Sequence, residues 1–162
     1  MTDIGTEKNE PGSDYWDAIE PYCEVIDIYD TPLTFLKSLA GLPRWCRHLL
    51  AVHWCDSEIC NGGFHQFFYN STGILAPEAV EGFQAMRLES IANVVKEAML
   101  RLGEPYARDR EERWEGLARL ESDGYLNENS KAFQELDDRY YAVQEQSDLL
   151  NRMDRYAREN AA

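Results

Sequence analysis

Cys60-Asn61-Gly62-Gly63-Phe64-His65-Gln66-Phe67-Phe68-Tyr69-Asn70-Ser71 is the stretch on which the fold turns. It gathers two adjacent glycines, four aromatics and three side-chain amides within a dozen residues. Paired glycines are costly inside a helix. Their presence predicts a bend at Gly62-Gly63, with a positive φ or a neighbouring segment pressed against the backbone. Phe64, Phe67 and Phe68, on a short helix that ends near Asn70, are expected in the core. Asn61, Gln66 and Asn70 suit the open backbone groups of the two helix ends that meet here, and recognition of a ligand is their other use.

Upstream, the segment from Arg44 to Cys60 carries Trp45, Cys46, Leu49, Leu50, Val52, His53, Trp54 and Ile59 on more than one face of a helix. Such a helix belongs in the middle of the molecule. Before it, Thr31-Pro32 has the form of an N-cap followed by proline at the first helical position. It opens a short helix through Leu33, Leu36 and Leu39 that Gly41 ends. Ser13 suits the N-cap of a helix with Tyr15, Ile19, Tyr22, Cys23 and Ile26 turned inward, and Pro21 is expected to restart that helix. Met1 to Gly12 is polar and acidic and reads as a flexible tail.

Downstream, Pro77 opens a helical run through Val80, Phe83, Met86 and Leu88. Ile91, Val94, Val95, Ala98, Met99 and Leu102 continue its 3.6-residue period to Gly103. An arginine- and glutamate-rich helix follows with Tyr106, Trp114, Leu117 and Leu120 inward, and Ser122-Asp123-Gly124 reads as a turn. The last helix is expected from near Asn129-Ser130 through Phe133, Leu136, Tyr140, Val143, Met153 and Tyr156. No segment alternates with period two. The expected architecture is all-α: a single-domain helical bundle of about seven helices over residues 13–162, preceded by the tail at 1–12. A chain of 162 residues can bury about two-thirds of its unfolded surface without disulfides.

Thirty acidic residues against 16 basic ones give a formal net charge of -14. The imbalance sits at the ends. Residues 1–40 hold nine acids and two bases, 41–103 hold six and five, and 104–162 hold fifteen and nine. Such a surface repels phosphate backbones and anionic lipid, and attracts basic proteins within a Debye length of about 8 to 10 Å. Direct binding to nucleic acid or membrane is therefore disfavoured.

Carboxylates three or four residues apart on a helix stand roughly 5 to 6 Å from one another. DNA carries one phosphate per roughly 3.4 Å of axis on each strand. A helical row of Asp14, Asp17, Glu20, Glu24, Asp27 and Asp30 can therefore stand in for phosphates. A second acidic face, on the last helix, carries Glu135, Asp137, Asp138, Glu145, Asp148 and Asp154. The plainer reading of either face is solvation.

Cys23, Cys46, Cys55 and Cys60 lie in apolar surroundings, and Met1 to Pro11 lacks the basic and then apolar order of a secretory leader. A cytoplasmic location with reduced thiols is expected. No run approaches the 18 or so apolar residues of a membrane span. His53, Cys55, Cys60 and His65 are close in sequence, but no CxxC or HxxxH pairing brings two ligands together, so neither metal nor cofactor is expected. A Cys-His nucleophile would lack a third member and an oxyanion signature. There is no phosphate loop, dinucleotide fingerprint or HExxH. A small enzyme or ligand-binding protein using the Asn61 to Asn70 region is the second reading, behind a protein without catalysis.

The run from Asn61 to Gly73 resembles the signature of a bacterial family of small helical proteins that includes an acidic DNA mimic. Ala79 to Leu102 and Leu136-Asp137-Asp138-Arg139-Tyr140-Tyr141 extend the likeness, so that it covers roughly residues 42–160. The resemblance implies a homodimeric helical protein whose partner is a basic DNA-binding protein. Its carboxylates would occupy the DNA-binding face of a helix-turn-helix transcription factor and keep it off its operator. No catalytic residues come with that likeness. The motif is specific for the fold, and the function carries over only as far as the charge pattern does. Specificity would also need a patch of Tyr, Trp or Phe within the acidic rim.

Overall fold

A computed structural model of the chain describes residues 14–122 and 131–161. The tail expected at 1–12, the Ser13 cap, the Asp123-Gly124 turn and the Asn129-Ser130 helix start lie outside the described residues. Among the described residues there are eight α-helices, one 3-10 turn and no strand. The helices are α1 (Asp14–Cys23), α2 (Pro32–Ala40), α3 (Arg44–Tyr69), α4 (Ala76–Ala85), α5 (Glu89–Leu102), α6 (Arg110–Ser122), α7 (Lys131–Glu145) and α8 (Leu149–Asn160). The 3-10 turn spans Ser71–Leu75.

The centre is α3, against which α1, α4, α6, α7 and α8 all pack. Its sequence requires this, because Cys46, Leu49, Leu50, Ala51, Val52, Cys55 and Ile59 are all buried and point in several directions. The most extensive contact of α3 is with α4, and Gly82 permits a close approach. A Cβ there would stand 2.8 Å from Val52 Cγ2 and 2.9 Å from the His48 carbonyl oxygen.

The expected bend is present. Gly62 (φ -151°, ψ 18°) and Gly63 (φ 74°, ψ -175°) break the helical geometry of α3, and the second of these conformations is reserved almost wholly for glycine. The bend swings Phe64, Phe67 and Phe68 into the core. The Phe64 ring lies 5.9 Å from Phe68, 6.3 Å from Phe133 and 5.8 Å from Tyr140. Each fully buried ring of this size contributes about 1.5 to 3 kcal/mol through removal from water.

The single last helix expected to run through Phe133 and Tyr156 is two helices, α7 and α8, parted at Asp148 with its left-handed φ of 55°, and three further local expectations are corrected. Pro21 does not restart the first helix but sits in its last turn, and α1 stops at Cys23. Proline withdraws the N–H that would bond to the Asp17 carbonyl and crowds that carbonyl with its ring, so little helix survives beyond it. The run opened near Pro77 is not continuous to Gly103 either. It breaks at Arg87, which takes a left-handed φ of 60° between α4 and α5. Leu88 N–H then bonds back to the Phe83 carbonyl at 2.8 Å, a closure of the kind that ends helices. In α2 the inward residues are Phe35 and Leu39, while Leu33 faces outward. The Thr31-Pro32 start holds, with the Thr31 side chain accepting from the Thr34 N–H.

Candidate functional site

The carboxylates of the acidic faces differ in what they touch. Because α1 ends at Cys23, the expected helical row is divided. Asp17 and Glu20 stand exposed on the helix, whereas Glu24, Asp27 and Asp30 stand exposed on the turns that follow it. Those turns are ordered by the chain itself. Val25 N–H bonds to the Tyr22 carbonyl at 3.1 Å, and the Asp27 carboxylate accepts from Tyr29 N–H at 2.9 Å. Asp14 is committed elsewhere, since Arg158 donates to it at 2.5 Å.

On α7, Asp138 and Glu145 are exposed, and Asp148 begins α8 in a left-handed conformation with φ 55°. Glu135 accepts from Arg101, whose guanidinium holds its carboxyl below the usual range. Asp137 and Asp154 are not on the outer face. Asp154 is buried and accepts from the Tyr15 N–H at 3.1 Å, which satisfies an open donor at the start of α1. Asp137 accepts from the Phe64 N–H at 2.8 Å and thereby caps the second half of α3 just past the bend. Burial pushes the Asp137 carboxyl up to about 6, against the lowering effect of that hydrogen bond. Both carboxylates reach helix N-termini that lie far away in sequence, where the helix dipole also favours negative charge.

Of the carboxylates the sequence singled out, those left exposed and free of ion pairs among the described residues are Asp17, Glu20, Glu24, Asp27, Asp30, Asp138, Glu145 and Asp148. They form two groups. The first is borne by α1, which packs on α8 and α3, and by the turns after it. The second is borne by α7, which packs on α5 and α3, and by the start of α8. Within the first group Val25, Tyr29 and Leu33 are 68%, 81% and 81% exposed. Val25 and Tyr29 alternate along the chain with Glu24, Asp27 and Asp30, and Leu33 follows at the start of α2, so the acidic segment also carries large, open apolar side chains. The sequence reading counted Leu33 among the apolar positions of the short helix and did not single out Val25 or Tyr29.

The glycine motif is structural in detail. Among the described residues, Asn61, Gln66 and Asn70 do not cap backbone groups through their side chains. Instead Gln66 and Asn70 converge with Thr72 on Glu58, a residue the sequence reading passed over, and Asn61 is held by Gln66. Gln66 Nε2 donates to Glu58 Oε2 at 2.7 Å and Asn70 Nδ2 at 3.0 Å, Thr72 Oγ1 donates to Oε1 at 3.0 Å, and Asn61 Nδ2 donates to Gln66 Oε1 at 3.2 Å.

The far end of α3 is held by cations and an indole. Arg113 is 1% exposed and donates to the carbonyls of Phe68 and Asn70 at 2.9 Å each and of Arg108 at 2.6 Å. Arg110 Nε and Trp114 Nε1 both donate to the Tyr69 carbonyl at 2.9 Å. Positive charge at a helix C-terminus answers its unpaired carbonyls. Nothing local in the sequence distinguishes Arg113 from its solvated neighbours.

The thiols and imidazoles differ in burial and partners. All four cysteines are free, with Cys46 and Cys55 buried. Burial and the nearby Asp56 push Cys60 up to about 12, and burial first of all holds Cys55 well above the ordinary thiol range. Both shifts favour the protonated thiol over the nucleophilic thiolate. His53 meets the Tyr15 hydroxyl at 3.2 Å and the Trp16 ring at 4.8 Å, and burial lowers its pKa. Among the described residues no three His, Cys, Asp or Glu side chains are grouped to hold a metal, and no helix is long and apolar enough to cross a membrane.

Residues 40–160 match the DMP19-like protein family. The matched region includes the bend, Glu58, Asp137, Arg113 and the second acidic group, whereas Asp14 to Asp30 precede it. No curated protein and no solved structure matches the chain. With three-quarters of its length inside that match, the chain belongs to the DMP19-like protein family, a family of DNA mimics.

Proposed function

We propose that this protein is an inhibitor of a basic DNA-binding protein, a helix-turn-helix transcription factor, whose DNA-binding face it occupies in place of the operator. The observation that carries the reading is the set of exposed, unpaired carboxylates around Tyr29 and on α7, in a chain whose family is one of DNA mimics. Arginine and lysine side chains that normally contact phosphates would pair with Asp17, Glu20, Glu24, Asp27, Asp30, Asp138, Glu145 and Asp148. Tyr29, Val25 and Leu33 supply the dehydrated contact that fixes which basic surface is accepted. The protein acts in the cytoplasm as a homodimer, which doubles the acidic groups and suits the two-fold symmetry of many operator-binding regulators. It has no catalytic role. Asn61, Gln66 and Asn70 direct side-chain donors to Glu58 or to one another, which leaves a ligand at the bend little to use.

The mechanism is mutual exclusion. Operator and mimic compete for one surface, and the affinity of the mimic falls with salt as screening weakens each pair. The test is competition on the immobilised protein with a lysate of the native cell. A helix-turn-helix regulator should be retained, elute at intermediate salt, and be displaced by its own operator duplex. If regulator, operator and this protein form a ternary complex, mimicry is wrong.

A further inference from the structure

Arginines are few in this acidic protein, and several are already engaged. Arg101, Arg108, Arg139 and Arg158 pair with carboxylates, while Arg110 and Arg113 hold backbone carbonyls. One cleft departs from that pattern. It lies where the corner between α4 and α5 meets α8, has a volume of about 350 Å³, and is lined by Met86, Arg87, Arg152, Arg155, Tyr156 and Glu159. The guanidinium groups of Arg87 and Arg155 make no hydrogen bond or ion pair among the described residues. Arg152 donates to the Met86 carbonyl at 3.3 Å. Three positive charges thus face one carboxylate, Glu159, in a chain whose formal net charge is -14.

The wall of the cleft carries a second unsatisfied group. The Tyr156 hydroxyl meets His48 Nδ1 at 2.8 Å. His48 is 2% exposed, and its Nε2 has no hydrogen-bond partner, with Glu81 Oε2 3.6 Å away. Burial and then the positive charge of Arg44 lower the His48 pKa against the raising effect of Glu81. Arg87 also occupies its place at a backbone cost. Its φ of 60° suits glycine or asparagine better than a long side chain.

We propose that this cleft binds a small phosphate monoester, whose dianion sits among Arg87, Arg152 and Arg155. A guanidinium offers a planar fork of donors matched to phosphate oxygens. Arms coming from the α4–α5 corner and from α8 can serve oxygens on different sides of a tetrahedral group, which a flat carboxylate does not present. The volume lies at the small end of the range for ligand sites, about 300 to 1,000 Å³, enough for a phosphate with a modest substituent. Met86 and the Tyr156 ring offer that substituent an apolar surface. The site is opposite in sign to the acidic surface and stands or falls independently of mimicry.

The test uses the whole protein alone, at low ionic strength, titrated separately with inorganic phosphate, a sugar phosphate and citrate while amide and arginine side-chain resonances are followed. The expected result is saturable binding of both phosphates at low-millimolar concentration or tighter, with shifts centred on Arg87, Arg152 and Tyr156. Arg155→Gln should weaken it at least tenfold, as should Arg87→Asn, which keeps a residue tolerant of the left-handed backbone. Arg139→Gln, which removes the same charge from α7, should leave it within twofold. If Arg87→Asn fails to fold, the exposed Arg155 decides alone. Linear, non-saturating shifts, equal losses in Arg139→Gln and Arg155→Gln, or tighter binding of citrate than of phosphate would each overturn the proposal.

Discussion

The carboxylate of Asp137 accepts the Phe64 backbone N–H at 2.8 Å across 73 positions of chain. One helix thus supplies the cap for another, and the same carboxylate fills the space where a side chain on Gly63 would project. Replacement by alanine should cost about 1 to 3 kcal/mol, because the buried Phe64 donor is left without an acceptor. Replacement by asparagine keeps an oxygen in place and should cost much less. Chemical denaturation of the two variants separates these outcomes.

The ionisation of Asp137 gives a test with a definite sign. Its folded pKa of about 6 lies above the value of about 3.9 for an unfolded aspartate. The folded state therefore binds the proton more tightly, and the stabilisation present below pH 4 is lost as pH rises to 6 and beyond. With the side chain partly open to solvent, the effect should be about 1 kcal/mol. Measured against wild type, Asp137→Asn should gain that amount between pH 4 and pH 7. A change in the opposite direction would mean that the carboxylate is stabilised as an anion.

Gly63→Ala is expected to destabilise the fold by roughly 2 kcal/mol or more, through its positive φ and a Cβ placed 2.5 Å from Asp137 Oδ2. If steric overlap with the carboxylate contributes, Asp137→Ala should relieve part of the cost, and a double-mutant cycle in urea will show the coupling. Additive losses would leave the backbone conformation as the whole cause.

Arg113→Lys keeps the charge but gives up the fork that reaches several carbonyls at the end of α3. A loss of roughly 3 kcal/mol is expected, seen as a fall of about 6 to 12 °C in Tm. A melt within 2 °C of wild type, on the order of a 1 kcal/mol change or less, would show that a point charge suffices there.

For the proposed inhibition, joint Asp27→Lys and Asp30→Lys replacement should weaken regulator binding at least tenfold and flatten its dependence on salt. Tyr29→Ala should weaken binding without changing the salt dependence, since it removes an apolar contact. Asp14→Asn should change affinity less than threefold, because Arg158 already occupies that carboxylate. Anisotropy competition against labelled operator at two salt concentrations reads all three.

The helical fold was legible because its signals are local: the period of Ile91 to Leu102, the Thr31-Pro32 start and the glycine pair. The places where it was misread have nonlocal or unmarked causes. Arg87 breaks the run between α4 and α5 without a glycine or proline to announce it. The inward turn of Asp137 and Asp154 depends on helix ends far away in the chain, and in sequence both look like the solvated acids beside them. Glu58 gathers the amides of the bend only once the bend has folded Asn70 and Thr72 back towards it. The matched region of the family holds the second acidic group, while the open apolar side chains Val25, Tyr29 and Leu33 lie before it.

Since the Phe64 amide finds its acceptor on α7 rather than inside its own helix, its hydrogen exchange reports on a different segment from the one that carries it. Amides in the first half of α3 stay protected by bonds within the helix when α7 lifts away, but Phe64 does not. A single amide can therefore gauge how often the segment bearing Asp138 and Glu145 leaves the body of the protein, and whether a bound partner holds it down.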